Sequence, residues 1–180
     1  MRKEIFQEIE IPEGVEVNIN EDEVFVKGKE GELKRKFKIM NLSIQQQGNK
    51  IVVGNKKSTK KEKKMINTTA AHLRNMIRGV GERYEYHLKI CSSHFPISVE
   101  INGRDVMIKN FLGEKIPRKT HILEGVDVDV NKDIITVSST NKELAGQTAA
   151  NFEKATWIKA RDRRVFQDGI FITSKAGKKI

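Results

Sequence analysis

Residues 159–180, KARDRRVFQDGIFITSKAGKKI, thread seven cations between aromatic rings. Lys159, Arg161, Arg163, Arg164, Lys175, Lys178 and Lys179 are interleaved with Phe166 and Phe171, and only Asp162 and Asp168 oppose them. Arginine makes planar, two-bonded contacts with phosphate and stacks on bases, which lysine cannot do. Aromatic faces beside such cations suit unstacked bases or anchor the segment on its own domain. Gln167-Asp168-Gly169 predicts a turn that lets two arms of the segment present their cations together.

A second basic run, NKKSTKKEKK at residues 55–64, holds Lys56, Lys57, Lys60, Lys61, Lys63 and Lys64 against Glu62 alone. Each of the two runs nets +5, so together they account for the whole formal charge of +10 and the rest of the chain balances to zero. Charge serving solubility alone would be spread over the surface. Two concentrated patches look like footprints of a polyanion. The six lysines form a secondary phosphate-contact set, because cations at the positive end of a helix are disfavoured until an anion neutralises them. Contacts of that kind carry no sequence information.

No catalytic set accompanies them. His72, His87, His94 and His121 are scattered, and Cys91-Ser-Ser-His94 offers two metal ligands where a structural zinc site needs four. Cys91 has no neighbouring motif that would activate a thiolate. Gly79-Val80-Gly81 lacks the third glycine of a phosphate loop and follows a helix pattern, so no cofactor is expected. Asp127 and Asp129 fit the solvated face of a strand. A lone cysteine suits a reducing, intracellular compartment, and with no run of about 18 apolar residues in the sequence neither a leader nor a membrane span is expected. ITSKAGKK has no sustained apolar face for a membrane surface. Neither a helix-turn-helix nor a zinc module is there to read duplex sequence.

The elements that must hold these residues are written twice. VNINEDEVFVKGKEGE (17–32) overlies VEINGRDVMIKNFLGE (99–114) without a gap: Val17, Ile19, Val24, Val26, Lys27, Gly31 and Glu32 match Val99, Ile101, Val106, Ile108, Lys109, Gly113 and Glu114. Both copies follow a proline, Pro12 or Pro96, and both read as alternating strands joined by a short polar turn. A second pair of strands follows in each half. Then comes a Thr-x-x-Glu capping box (Thr59 with Glu62, Thr140 with Glu143) and a helix-period stripe. The stripes are Ile66, Ala70, Leu73 and Ile77 in one half, and Leu144, Thr148, Phe152 and Ala155 in the other. The fold class is therefore α+β: two tandem similar domains, each an antiparallel β-sheet with one helix packed on a face. The boundary falls after Gly79-Val80-Gly81, where glycine would supply a left-handed helix cap, giving domains 1–81 and 82–180. ERYEYHLKICS then opens the second domain as a strand.

The block IKARDRRVFQDGIFI resembles the archaeal and eukaryotic version of the large-subunit ribosomal protein six family, and Val-Lys-Gly-Lys-Glu-Gly-Glu-Leu (26–33) resembles that family's glycine-rich turn in its first domain. The likeness spans nearly the whole chain. It implies a non-catalytic constituent of the large ribosomal subunit, cytoplasmic, with large-subunit ribosomal RNA and neighbouring large-subunit ribosomal proteins as partners and no small-molecule substrate. It also implies that the second domain contacts ribosomal RNA near the sarcin–ricin loop and the base of the factor-binding stalk, with Lys159, Arg161, Arg163, Arg164, Phe166, Gln167, Lys175, Lys178 and Lys179 as the RNA-contact residues. The other reading is a protein-interaction module that docks an acidic partner on its basic segment.

Overall fold

A computed structural model describes residues 3–20, 22–37 and 42–180. The chain divides into two compact units, residues 1–83 and 84–180.

In the first unit, strands β1 (Lys3–Glu10), β2 (Glu16–Asn20), β3 (Glu23–Gly28), β4 (Gly31–Lys36), β5 (Ser43–Gln47) and β6 (Lys50–Ser58) precede helix α1 (Lys60–Gly81). The strands divide into two antiparallel sheets, ordered β1-β6-β5 and β2-β3-β4. Helix α1 packs on members of both. Period-two alternation sends Val24 and Val26 of β3, and Ile51 and Val53 of β6, into a core closed by Ile66, Ala70, Leu73 and Ile77 of α1. All four residues of the helical stripe read from the sequence are buried.

The helix opens as its capping box predicts. The Thr59 hydroxyl accepts from Lys61 N at 3.3 Å, and Glu62 accepts from Thr59 N at 2.9 Å. Its other end differs from expectation. The helix runs through Gly79, Val80 and Gly81 and stops on Glu82 in extended conformation (φ −146), so no left-handed glycine cap forms. The glycine that matters here is Gly28. A side chain there would meet the Val80 carbonyl oxygen at 2.7 Å, and Glu30 N donates to that same carbonyl at 2.9 Å. The glycine-rich β3–β4 turn is thus seated under the end of α1, which only a residue without Cβ allows.

The second unit repeats the plan with β7 (Tyr84–Cys91), β8 (Ser98–Asn102), β9 (Asp105–Lys109), β10 (Arg118–His121), β11 (Asp127–Asn131), β12 (Ile134–Ser139) and helix α2 (Lys142–Ala155). One sheet is ordered β10-β9-β8, the counterpart of β4-β3-β2. Helix α2 begins one residue later than its Thr-x-x-Glu pattern suggests. Asn141 is the cap, and its side chain accepts from Glu143 N at 2.9 Å. The asparagine wins because its short amide reaches the free N–H of the first turn directly. Of the α2 stripe, Thr148 and Phe152 are buried and Leu144 and Ala155 are half-buried; Ala145 and Ala149 complete the buried face.

The units differ after the helix. In the second, the chain continues into β13 (Gly169–Lys175) and β14 (Lys178–Lys179), which extend β11-β12-β7 to a five-stranded sheet by pairing antiparallel with the outer edge of β7. The basic C-terminal stretch is therefore structural for half its length. Ile170 is fully buried in the core.

Candidate nucleic-acid interface

The predicted contact residues fall into two groups that the sheet holds apart. Lys159, Arg161, Arg163, Arg164, Phe166 and Gln167 lie on the loop between α2 and β13, while Lys175 ends β13 and Lys178 and Lys179 form β14. At the usual rise of about 3.3 Å per residue, a strand running from Gly169 to Lys175 separates the groups by roughly 20 Å. The turn expected at Gln167-Asp168-Gly169 is absent. Asp168 is 4% exposed, and its Oδ1 accepts from both Ser93 N (3.0 Å) and Ser93 Oγ (2.7 Å). A buried carboxylate needs such donors, and this one ties the start of β13 to the loop after β7. The segment's reversals lie elsewhere. Asp162 O accepts from Val165 N and Phe166 N, and its Oδ1 accepts from Arg164 N at 2.9 Å. Ala176 and Gly177, both at positive φ (50 and 82), turn the β13–β14 hairpin.

Within the loop the cations are presented outward. Lys159, Arg161, Arg163, Arg164 and Gln167 are exposed and Phe166 is half-buried. The Arg161 guanidinium lies 4.8 Å from the Phe166 ring centre, and that of Arg163 lies 6.0 Å from Trp157. Arg164 pairs with Asp162 at 2.8 Å, and the hydrogen bond from Arg164 is the main reason the Asp162 carboxyl is held below its usual range. Gln167 Nε2 donates to Arg164 O at 3.1 Å. The loop is thus shaped by its own polar groups rather than left as a free tail. Among the described residues, Lys159, Arg161, Arg163, Lys175, Lys178 and Lys179 make no ion pair. Elsewhere among the described residues some cations are paired, as in Lys34–Glu23, Lys50–Glu8, Arg104–Glu124 and Lys109–Glu100, while scattered others such as Lys27, Lys89 and Lys132 are not.

What fixes the loop was missed in the sequence. Arg118, on β10, donates through Nη1 to Ala155 O (3.0 Å) and Trp157 O (2.9 Å), and grips Glu114 with two bonds at 2.8 and 2.7 Å. Its guanidinium carbon lies 4.2 Å from the centre of the buried Phe111 ring. One arginine therefore occupies the free carbonyls at the C-terminal end of α2 and sets the direction in which the basic loop leaves it. Thr156 supports it from the other side, with its hydroxyl accepting from Ile170 N at 2.9 Å. Arg118 sits outside both charge runs, so no local pattern singles it out.

Lys56 and Lys57 end β6, and Lys60, Lys61, Lys63 and Lys64 occupy the first turns of α1. All six are exposed, and none makes an ion pair among the described residues. The one acid there, Glu62, is engaged by the Thr59 cap, the main cause of its lowered pKa. It neutralises the helix end rather than the lysines.

No group of three or more histidine, cysteine or carboxylate side chains able to hold a metal ion occurs among the described residues. No described helix is long and apolar enough to cross a membrane.

Comparison with known proteins bears on the whole chain. The sequence pattern of the family described as Ribosomal protein L6 matches twice, over residues 11–83 and 95–169, following the internal duplication. The chain belongs to the ribosomal protein L6 family. Relatives named large ribosomal subunit protein uL6 include those of Methanobrevibacter smithii, 52% identical over 95% of this chain and 96% of that protein, and Methanococcus vannielii, 48% identical over 97% and 96%. The Methanocella arvoryzae protein of that name is 45% identical over 98% of this chain and all of its own length. As an L6-family member the chain is a structural ribosomal protein and not an enzyme. The archaeal relatives accord with the archaeal or eukaryotic type suggested by the RRVFQDGIFI run.

Proposed function

We propose that this L6-family chain is a constituent of the large ribosomal subunit that binds large-subunit ribosomal RNA through the 159–167 loop and the Lys175–Lys179 hairpin. The observation that carries the reading is the concentration of seven cations against two carboxylates in residues 159–180, all seven exposed and, among the described residues, only Arg164 ion-paired. Phosphate oxygens supply the missing anions, and release of their counterions drives association. The lysines at the start of α1 make a further, sequence-independent contact. Because the loop and the hairpin stand at the two ends of β13, a strand of the five-stranded sheet, they engage RNA as a span of about 20 Å. A site near the sarcin–ricin loop and the stalk base, neighbouring subunit proteins as further partners and a cytoplasmic location complete the proposal.

The test is retention on large subunits through a high-salt wash. The chain should co-sediment with the particle, and charge-reversed Arg161, Arg163 and Arg164 together should release it. Release of the unaltered protein at low salt would contradict the proposal, and displacement by an acidic peptide in preference to structured RNA would favour a protein-docking role instead.

A further inference from the structure

A groove of about 450 Å³ runs between the C-terminal end of α2 and the start of β13, lined by Trp157, Phe166 and Phe171 together with Arg163 and Lys154. Trp157 is 54% exposed and Phe171 38%, so two large aromatic side chains stand open to solvent beside the most basic loop of the unit. Isolated surface aromatics are ordinary, whereas several converging on one concavity mark a binding site. Glu153 and Asp168 are its acidic members, and Asp168 Oδ1 is already occupied by Ser93.

The geometry points to this groove as the receptor for one unstacked nucleobase of the bound RNA. This rests on the RNA-binding reading above and adds a mode of contact to it. Flat apolar rings accept the face of any base, and flanking cations hold the phosphates on either side of it. Arg163 lines the groove against the Trp157 ring, and Arg161 lies against the ring of Phe166. The surrounding positive charge rejects a cationic guest, and an apolar peptide side chain would make no use of it. The backbone is fixed independently of the aromatic side chains: Arg118 holds the Trp157 carbonyl, and Ser93 holds Asp168. The site is therefore in place before RNA arrives.

Trp157 is the sole tryptophan of the chain, so its emission reports on this groove alone. The full chain is titrated with large-subunit ribosomal RNA and, separately, with inorganic polyphosphate, a polyanion without bases, while binding is followed in parallel on filters. Stacking requires that the RNA quench Trp157 with the midpoint seen on filters and that polyphosphate bind without quenching. Trp157→Ala and Phe171→Ala should each weaken RNA binding about tenfold with an unchanged salt dependence, and Trp157→Phe should restore it. Unquenched emission of the unaltered chain on RNA binding, or full affinity in Trp157→Ala, would overturn the base site while leaving RNA binding intact. Failure of the unaltered chain to bind RNA at all would remove both.

Discussion

The guanidinium of Arg118 reaches across from β10 to the carbonyl oxygen of Trp157, 2.9 Å away, and holds the first residues of the basic loop against the end of α2. The same group is paired with Glu114 and is 24% exposed, so its removal would strand a carboxylate and two helix-terminal carbonyls together. Arg118→Ala should lower stability by about 2 kcal/mol in denaturant unfolding, as expected for bonds to a charged group. Arg118→Lys should recover less than half of that, because an ammonium cannot form the planar fork. Both should weaken RNA binding although position 118 lies outside the basic runs. A lysine variant with full stability would show the fork to be dispensable.

Acid should loosen this corner. The hydrogen bond from Arg118, aided by its charge and that of Arg161, holds the Glu114 carboxyl below its ordinary value, against a smaller opposing effect of burial. A carboxyl with a depressed folded-state pKa contributes stability that is present above its unfolded value and lost as pH falls through the folded one. The stability difference between the unaltered protein and Glu114→Gln should therefore be constant above about pH 5 and shrink as pH drops below the usual carboxylate range near 4. Unfolding measured from pH 7 to pH 3 checks this. A gap that widens in acid would refute the pairing.

Asp168→Ala separates position from charge. The substitution raises net charge by one, so a purely electrostatic role predicts tighter RNA binding. Loss of the two Ser93 bonds instead frees the loop after β7 and the start of β13, and RNA affinity should fall together with about 1–3 kcal/mol of stability. Filter binding on the folded variant decides between the two signs.

Thr148 offers a stabilising change. Its hydroxyl is fully buried on α2 and is the one such side-chain oxygen without a partner among the described residues. Thr148→Val removes the unmet bond and keeps the shape, so stability should rise by about 1 kcal/mol. A loss of that size in thermal unfolding would mean that an ordered water serves the hydroxyl.

The duplication was legible because period-two alternation and the capping box are local. Val24 and Val106 share one burial, as do Val26 and Ile108. The same locality explains the misreadings. Whether Gly81 caps a helix depends on the conformation of Glu82, and whether Asp168 turns the chain depends on Ser93, 75 residues away. The cations of the candidate site were visible as composition, but their division into two groups required knowing that residues 169–175 pair with β7. Arg118 and Trp157 carried no signal because each acts through a partner on another element.

The most direct test of the account is the salt dependence of RNA binding. With about six phosphates neutralised, the logarithm of affinity should fall against the logarithm of salt concentration with a slope of roughly −4 to −5. Replacing Arg161, Arg163 and Arg164 by glutamine should bring that slope closer to zero by roughly two. A nearly salt-independent affinity, or a slope untouched by those substitutions, would contradict the assignment of these surfaces to RNA.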